Sequence, residues 1–121
     1  KIAIANPSVA PYGAAAMEAL EKAGILQKIK SKLVYGESIA QVNTYITTGV
    51  VDAGFTAESL LKETTGKLKL HWQPVDPKTY QPVKQGMVII NRAGNNTAAK
   101  KFYQYILSPA AKRIFKNHSY K

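Results

Sequence analysis

The sequence predicts an α/β fold in which helices flank a sheet with a core of parallel strands. Short β-prone runs alternate with helical segments through the first half of the chain, and the links between them are only a few residues long. Strands that are joined through a helix lie parallel, with right-handed crossovers. The chain has 121 residues, of which 45% are hydrophobic, and this is enough for one buried core.

Five segments are predicted as strands. The run "KIAIAN" predicts a buried strand over residues 2–5 that ends at Asn6-Pro7. The runs "KLVYG" and "VDAGF" predict a second and a third short strand. Further along, the alternation in "KLKLHWQPV" predicts a strand over residues 68–73, and "KQGMVIIN" predicts another with strong β propensity.

Two longer helices are predicted between the first three strands, each followed by a glycine as a stop signal. The first covers about residues 13–23. Its apolar face is formed by Ala16, Met17, Leu20 and Ala23. The second covers residues 39–48, because Ser38 and Gln41 have the spacing of a capping box.

Shorter helices are predicted in the rest of the chain. Thr56 is in position to cap a helix over residues 57–63. Asn96 caps the helix "TAAKKFYQYIL", and Ser108 followed by Pro109 starts a last helix. The apolar faces of these last two helices carry Phe102, Ile106 and Phe115.

The chain is strongly basic, with 17 Lys and Arg against 7 Asp and Glu and a formal net charge of +10. Residues 91–121 hold seven basic side chains and no acidic one. Such a charge favours anionic partners, although a run of this kind is most often a solvated helical face. A nucleic-acid partner is not predicted, because the sequence has neither interleaved Arg and aromatic residues nor a helix-turn-helix signal.

The sequence gives no sign of an enzyme, a cofactor or a bound metal cation. It lacks Cys, and its two histidines, His71 and His118, lie in unrelated contexts. The acidic side chains are scattered singly, and no nucleophile lies near a base in a recognisable motif. We therefore expect a binding protein rather than a catalyst.

Two predicted helix starts follow the carboxyl ends of strands, where open α/β sheets bind ligands. The first, at Tyr12-Gly13, has no Ser, Thr or Asp in position to cap it, and the second begins after Ser38. Backbone N–H groups at such ends suit a fully ionised oxyanion, because they cannot be deprotonated. The alternative is that water or local turns satisfy them.

Three sequence motifs resemble those of the molybdate-binding proteins of ABC transporters. "NPSVAPYGAAA" matches the pattern N-P-x-x-A-P-Y-G-x-A-A, and "GESIAQ" matches G-E-[NS]-[IV]-x-Q. "GVVDAGF" matches G-x-x-D-A-G-F, and the segment from "NRAGNN" to "NHSY" is similar to the end of such proteins. The resemblance covers nearly all 121 residues and is specific when the motifs are taken together.

The resemblance implies a site in which neutral donors hold a molybdate or tungstate ion. Carried over by position, the backbone N–H groups of Tyr12 and Ile39 would bind the anion, supported by Pro11, Gly13 and Ser38. Pro11 would hold the approach rigid, and Gly13 would let the backbone come close. Some family members add a Tyr hydroxyl after the third strand. Ala57 stands at that position here, so that the ligand is missing or is replaced by Thr56 or a neighbour.

The resemblance also implies a type II periplasmic binding-protein fold with two lobes. Residues 1–90 would be the second lobe, and residues 91–121 would be helices that pack on the first lobe, which this chain lacks. Such proteins work in the periplasm or on the outer face of the cytoplasmic membrane and deliver the anion to an ABC permease. We expect the chain to be a fragment whose uncovered helices fold back on the sheet or pair with a second copy.

Three alternatives remain at this point. The same fold also binds sulfate, phosphate or small organic anions. It occurs as the effector-sensing domain of transcription regulators, although the sequence has no DNA-binding helix. An enzyme is the third alternative, and the missing catalytic motifs disfavour it.

Overall fold

The computed structural model describes residues 1–64 and 70–120. The chain forms two compact units, Lys1–Val83 and Lys84–Lys121. The regular elements of the first unit are β1 (Ile2–Ala5), α1 (Pro11–Lys22), α2 (Leu26–Ile29), a 3₁₀ turn (Lys30–Lys32), β2 (Leu33–Gly36), α3 (Ile39–Thr47), β3 (Ala53–Gly54), α4 (Glu58–Thr64) and a 3₁₀ turn (Pro77–Thr79). Those of the second are a 3₁₀ turn (Asn91–Ala93), α5 (Thr97–Ile106) and α6 (Pro109–Asn117).

The sheet of the first unit has three parallel strands in the order β2-β1-β3. The central strand pairs with β2 from Ile2 opposite Leu33 to Ala5 opposite Gly36, and with β3 from Ile2 opposite Ala53. The first three predicted strands and their parallel arrangement are therefore confirmed.

The core of this unit forms where α3 packs on the sheet. Ala3 and Ala5 of β1 are buried in one cluster with Val42 of α3 and Val51. Because strand side chains alternate, Ile4 projects from the opposite face, where it is fully buried. Small alanines on one face let a helix approach the central strand closely, and so the start of α3 is held against the end of β1.

Helix α1 begins two residues earlier than predicted, because Pro11 occupies its first position. Its buried face consists of Gly13, Ala16, Ala19 and Leu20. Two members of the predicted stripe lie elsewhere, since Met17 is half-buried and Ala23 is exposed in the C-cap position.

The outer side of α1 contacts the segment before the second unit. Gln81 N–H donates to Glu18 Oε2 over 2.7 Å.

Helix α3 confirms the predicted cap, since Gln41 N–H donates to Ser38 Oγ over 3.2 Å. Helix α4 begins later than predicted, because the carbonyl of Ala57 accepts its first bonds, from Leu60 and Leu61. The prediction that Thr56 caps this helix is wrong.

In the described part of the chain, the fourth and fifth predicted strands do not form. Residues 70–73 have no regular structure, and residues 68 and 69 lie outside the described part of the chain. Residues 84–90 are also irregular in spite of their β propensity. A strand exists only when a neighbour pairs with its backbone, and among the described residues none pairs with these segments.

The second unit carries two capped helices, as predicted. Asn96 Oδ1 accepts from Ala99 N–H over 3.1 Å, and Ser108 Oγ accepts from Ala111 N–H over 3.3 Å. Residues 87–90 and α5 line an apolar pocket of about 250 Å³. No helix in the described ranges is both long and apolar enough to cross a lipid bilayer.

Candidate functional site

Three loops leave the same edge of the sheet. Because β1, β2 and β3 are parallel, the segments that follow their carboxyl ends begin side by side. The ends of the first two strands are tied together, since Asn6 N–H donates to the carbonyl of Gly36 over 2.7 Å. This edge therefore brings the starts of α1 and α3 close to each other, and it holds every residue that the sequence analysis named as a ligand or support.

The loop before α1 is built by Asn6. Its side-chain oxygen accepts from Ser8 N–H over 3.0 Å, and its carbonyl accepts from Ala10 N–H over 2.8 Å. Ala10 is the N-cap residue and gives no side-chain cap. Pro11 has no N–H, so the half-buried Tyr12 supplies the first backbone N–H of the helix.

Gly13 has a role that the sequence analysis did not foresee. A Cβ atom at this position would lie 2.0 Å from the carbonyl oxygen of Ala5 and 2.9 Å from the nitrogen of Pro7. The absence of a side chain therefore lets α1 start directly against the end of the central strand. This close packing fixes the position of the neighbouring Tyr12 N–H.

The start of α3 is capped from both directions. Ser38 Oγ accepts from Gln41 N–H, and Gln41 Oε1 in turn accepts from Glu37 N–H over 2.7 Å. Within residues 1–64 and 70–120, the N–H of Ile39 has no hydrogen-bond partner. The side chain of Ile39 packs against the core cluster, so its backbone is held in place.

The third loop contributes less. The methyl group of Ala57 cannot donate a hydrogen bond, which leaves only its backbone N–H as a ligand. The hydroxyl of Thr56 lies 3.5 Å from Oδ1 of Asn43, one helical turn into α3, and donates to it. Thr56 therefore links the loop after β3 to α3.

The predicted ligands and supports carry no charged side chain. They are Pro11, Tyr12, Gly13, Ser38, Ile39, Thr56 and Ala57. Nowhere in the described ranges do three His, Cys, Asp or Glu side chains gather as a metal site would require. The N-terminal ammonium group lowers the pKa of Asp52, but this exposed pair lies at the amino edge of the sheet, away from the three loops. Such an edge can hold an anion through neutral donors.

Three residues of this edge have roles that the sequence analysis did not predict. Asn6 was seen only as a strand terminator, although an Asn-Pro dipeptide is also a turn signal. Gln41 was seen as a capping-box residue, but its bond reaches Glu37 rather than the N-cap residue itself. Asn43 gave no signal, because its contact with Thr56 joins residues 13 positions apart.

Comparison with known proteins gives close matches along the whole chain. The family model described as "Bacterial extracellular solute-binding protein" matches residues 1–121. The molybdate-binding protein ModA of Azotobacter vinelandii is 40% identical over 121 residues, and that of Rhodobacter capsulatus is 35% identical over 119. These matches cover 98% of this chain but only 47% and 46% of the relatives, so the chain spans about half their length.

The fold agrees with these sequence matches. The solved periplasmic molybdate-binding protein of Azotobacter vinelandii superposes with a TM-score of 0.87 at 31% identity, over 99% of this chain and 53% of that one. The expected type II binding-protein fold is thereby confirmed. Since the family model also matches every residue, this chain belongs to the bacterial extracellular solute-binding proteins.

Proposed function

We propose that this chain binds a tetrahedral oxyanion, molybdate or tungstate, at the carboxyl edge of its sheet. The backbone N–H groups of Tyr12 and Ile39 donate to the anion from the starts of α1 and α3. The observation that supports the proposal is the parallel pairing of β1 with β2, because α1 and α3 then both follow the same edge of the sheet. The names of the two ModA relatives supply the chemical identity of the anion.

Neutral donors fit such an anion for a physical reason. A doubly charged oxyanion loses its hydration on binding and needs several hydrogen bonds in return. Each N–H that donates to a charged acceptor contributes about 1.5–3 kcal/mol. Helix starts add the positive end of the helix dipole without burying a cation that would also need a partner.

Pro11 and Gly13 act on the site through the backbone. Pro11 fixes the first position of α1, and Gly13 packs the helix start on Ala5. Ser38 Oγ caps α3 by accepting from Gln41 N–H and does not engage the N–H of Ile39. The third loop gives at most the backbone N–H of Ala57, while Thr56 holds this loop against α3.

The whole protein delivers the anion to an ABC permease, in the periplasm or on the outer face of the cytoplasmic membrane. One of its relatives is the putative ABC transporter substrate-binding lipoprotein YvgL of Bacillus subtilis, 30% identical over 122 residues. Residues 1–90 form the second lobe of such a protein, and the helices of residues 91–121 pack on a first lobe. The protein is a carrier and not an enzyme.

Calorimetric titration of the 121-residue chain with four anions tests this function. Molybdate and tungstate are expected to bind with similar affinity, and more tightly than sulfate or phosphate. The reason is that the positions of the donors set the radius of the cavity and so the size of the ion that fits. Equal ionic strength in all titrations keeps the screening of the +10 chain the same for the four anions. Tighter binding of sulfate or phosphate would identify another anion, and no saturable binding of any of the four would overturn the proposal.

A further inference from the structure

The start of α3 is capped without an acidic side chain. A capping box usually ends in Glu or Gln, and a carboxylate in the first turn also gains from the helix dipole. Here the residue is Gln41, and the first turn of α3 has no acidic side chain. Gln41 therefore caps the helix start without adding a negative charge.

The hydrogen bonds of Gln41 occupy two of the backbone N–H groups at the start of α3. Its N–H donates to Ser38 Oγ, and its side-chain oxygen accepts from Glu37 N–H. With these two N–H groups occupied and Val42 N–H bonded to the carbonyl of Ser38, the donors left at this helix start among the described residues are the N–H groups of Ile39 and Ala40. A carboxylate at position 41 could form the same bonds, but it would hold its charge beside an anion on Ile39.

We infer, on the basis of the function proposed above, that Gln41 is a positioning residue whose neutral side chain caps the helix start without repelling a bound anion. It orders the loop at Glu37 as a Glu would, and it spares the bound oxyanion the repulsion of a carboxylate. The side chains of Glu37 and Gln41 are both exposed, but Glu37 precedes the helix, whereas Gln41 lies in its first turn.

The test compares Gln41→Glu with Gln41→Ala in the 121-residue chain at pH 7.5. Gln41→Glu keeps the cap, so its thermal midpoint is expected to equal or exceed that of the parent chain. Its dissociation constant for molybdate is expected to rise about tenfold in low salt, and the ratio to the parent should shrink in 0.5 M NaCl. Gln41→Ala loses the bond to Glu37, so its midpoint falls and its loss of affinity does not depend on salt.

Gln27→Glu is the matched control. Gln27 is an exposed residue of α2, which precedes β2 and so lies toward the opposite edge of the sheet. The variant has the same change in net charge as Gln41→Glu, and its affinity is expected to stay within twofold of the parent. A general effect of net charge would weaken both variants equally and would overturn the inference.

The remaining outcomes separate the inference from the proposed function. If the parent chain binds molybdate and Gln41→Glu binds equally well, neutrality at position 41 does not matter and the inference is wrong. If Gln41→Glu melts below the parent chain, the carboxylate does not replace the cap and the inference is again wrong. If the parent chain does not bind molybdate at millimolar concentration, the proposed function and this inference both fall.

Discussion

At the scale of single residues, the structure shows a packing role for Gly13 that the sequence did not predict. Gly13 was expected to let an anion approach the backbone. Its nearest neighbours are instead the backbone atoms of Ala5 and Pro7, so its first task is to seat α1 on the central strand. In the function proposed above, the backbone N–H groups of Tyr12 and Ile39 bind the anion, so the identity of the side chain at these two positions is expected to matter little.

Replacing Gly13 with Ala is expected to lower the free energy of unfolding by about 2–3 kcal/mol, the upper range for an overpacked site. The reason is the carbonyl oxygen of Ala5, which lies 2.0 Å from the new Cβ and belongs to a rigid strand. Urea denaturation measures the change. Gly86→Ala is the control, because a Cβ at Gly86 meets no atom within 4 Å, and it is expected to be neutral or slightly stabilising. Equal stability of both variants would contradict the packing of α1.

Replacing Ile39 with Pro removes one proposed donor while keeping the helix. Pro is favoured at the first helical position, and Ser38 before it has φ −145° and ψ 162°, which a following Pro tolerates. The affinity for molybdate is expected to fall about 10- to 100-fold, from the loss of one bond to a charged acceptor.

Two other variants control for the side chains. Ile39→Ala also truncates the core contact but keeps the N–H, and Tyr12→Phe keeps the backbone while removing a hydroxyl. Both are expected to bind molybdate within a few-fold of the parent chain in the same titration. A similar loss in Ile39→Ala and Ile39→Pro would mean that packing, and not the N–H, carries the effect.

At the scale of elements, the sequence predicted what local signals decide. The cap of α3 by Ser38 and the caps of α5 and α6 all depend on neighbours within a few positions, and all are confirmed. Residues 84–90 have equally strong β propensity but remain irregular. Strand formation needs a second strand from elsewhere in the chain, and propensity holds no information about whether one is present.

The cap of α5 offers a test of this local control. Asn96→Ala removes the bond to Ala99 N–H and is expected to cost about 1 kcal/mol of helix stability. Hydrogen exchange of the α5 amides measures it. Asn95→Ala changes the same side chain one position earlier, outside the cap, and is expected to leave exchange unchanged. Faster exchange in Asn95→Ala than in Asn96→Ala would contradict the assignment of the cap.

At the scale of the whole molecule, the sequence predicted the family and the fold, which are confirmed, and an anion site, which stays a prediction. The chain spans about half the length of its relatives, and in the function proposed above a first lobe outside these 121 residues supplies further donors. Two missing donors at about 1.5–3 kcal/mol each would weaken binding at least a hundredfold. We therefore expect the chain alone to bind molybdate more weakly than micromolar.

We also expect the chain to self-associate through the exposed apolar faces of α5 and α6. Phe102 and Leu107 are each 59% exposed and Ile114 is 48% exposed, and exposed apolar surface of this kind marks a contact face. Analytical ultracentrifugation at 0.3 M NaCl, which screens the charge of the chain, should show a monomer–dimer equilibrium. Phe102→Asp is expected to weaken it, and Val50→Asp, an equally exposed position in the first unit, is not. A strict monomer at a protein concentration of about 100 µM would contradict this expectation.

The central claim is that the N–H groups of Tyr12 and Ile39 share one anion. Nuclear magnetic resonance of the ¹⁵N-labelled chain during a molybdate titration tests it most directly, because each backbone amide reports separately and millimolar binding is measurable. The account predicts that the Tyr12 and Ile39 amides move together, along one saturation curve, while an equal addition of NaCl leaves them in place. Movement confined to the basic helices α5 and α6, or different curves for the two amides, would contradict a shared site.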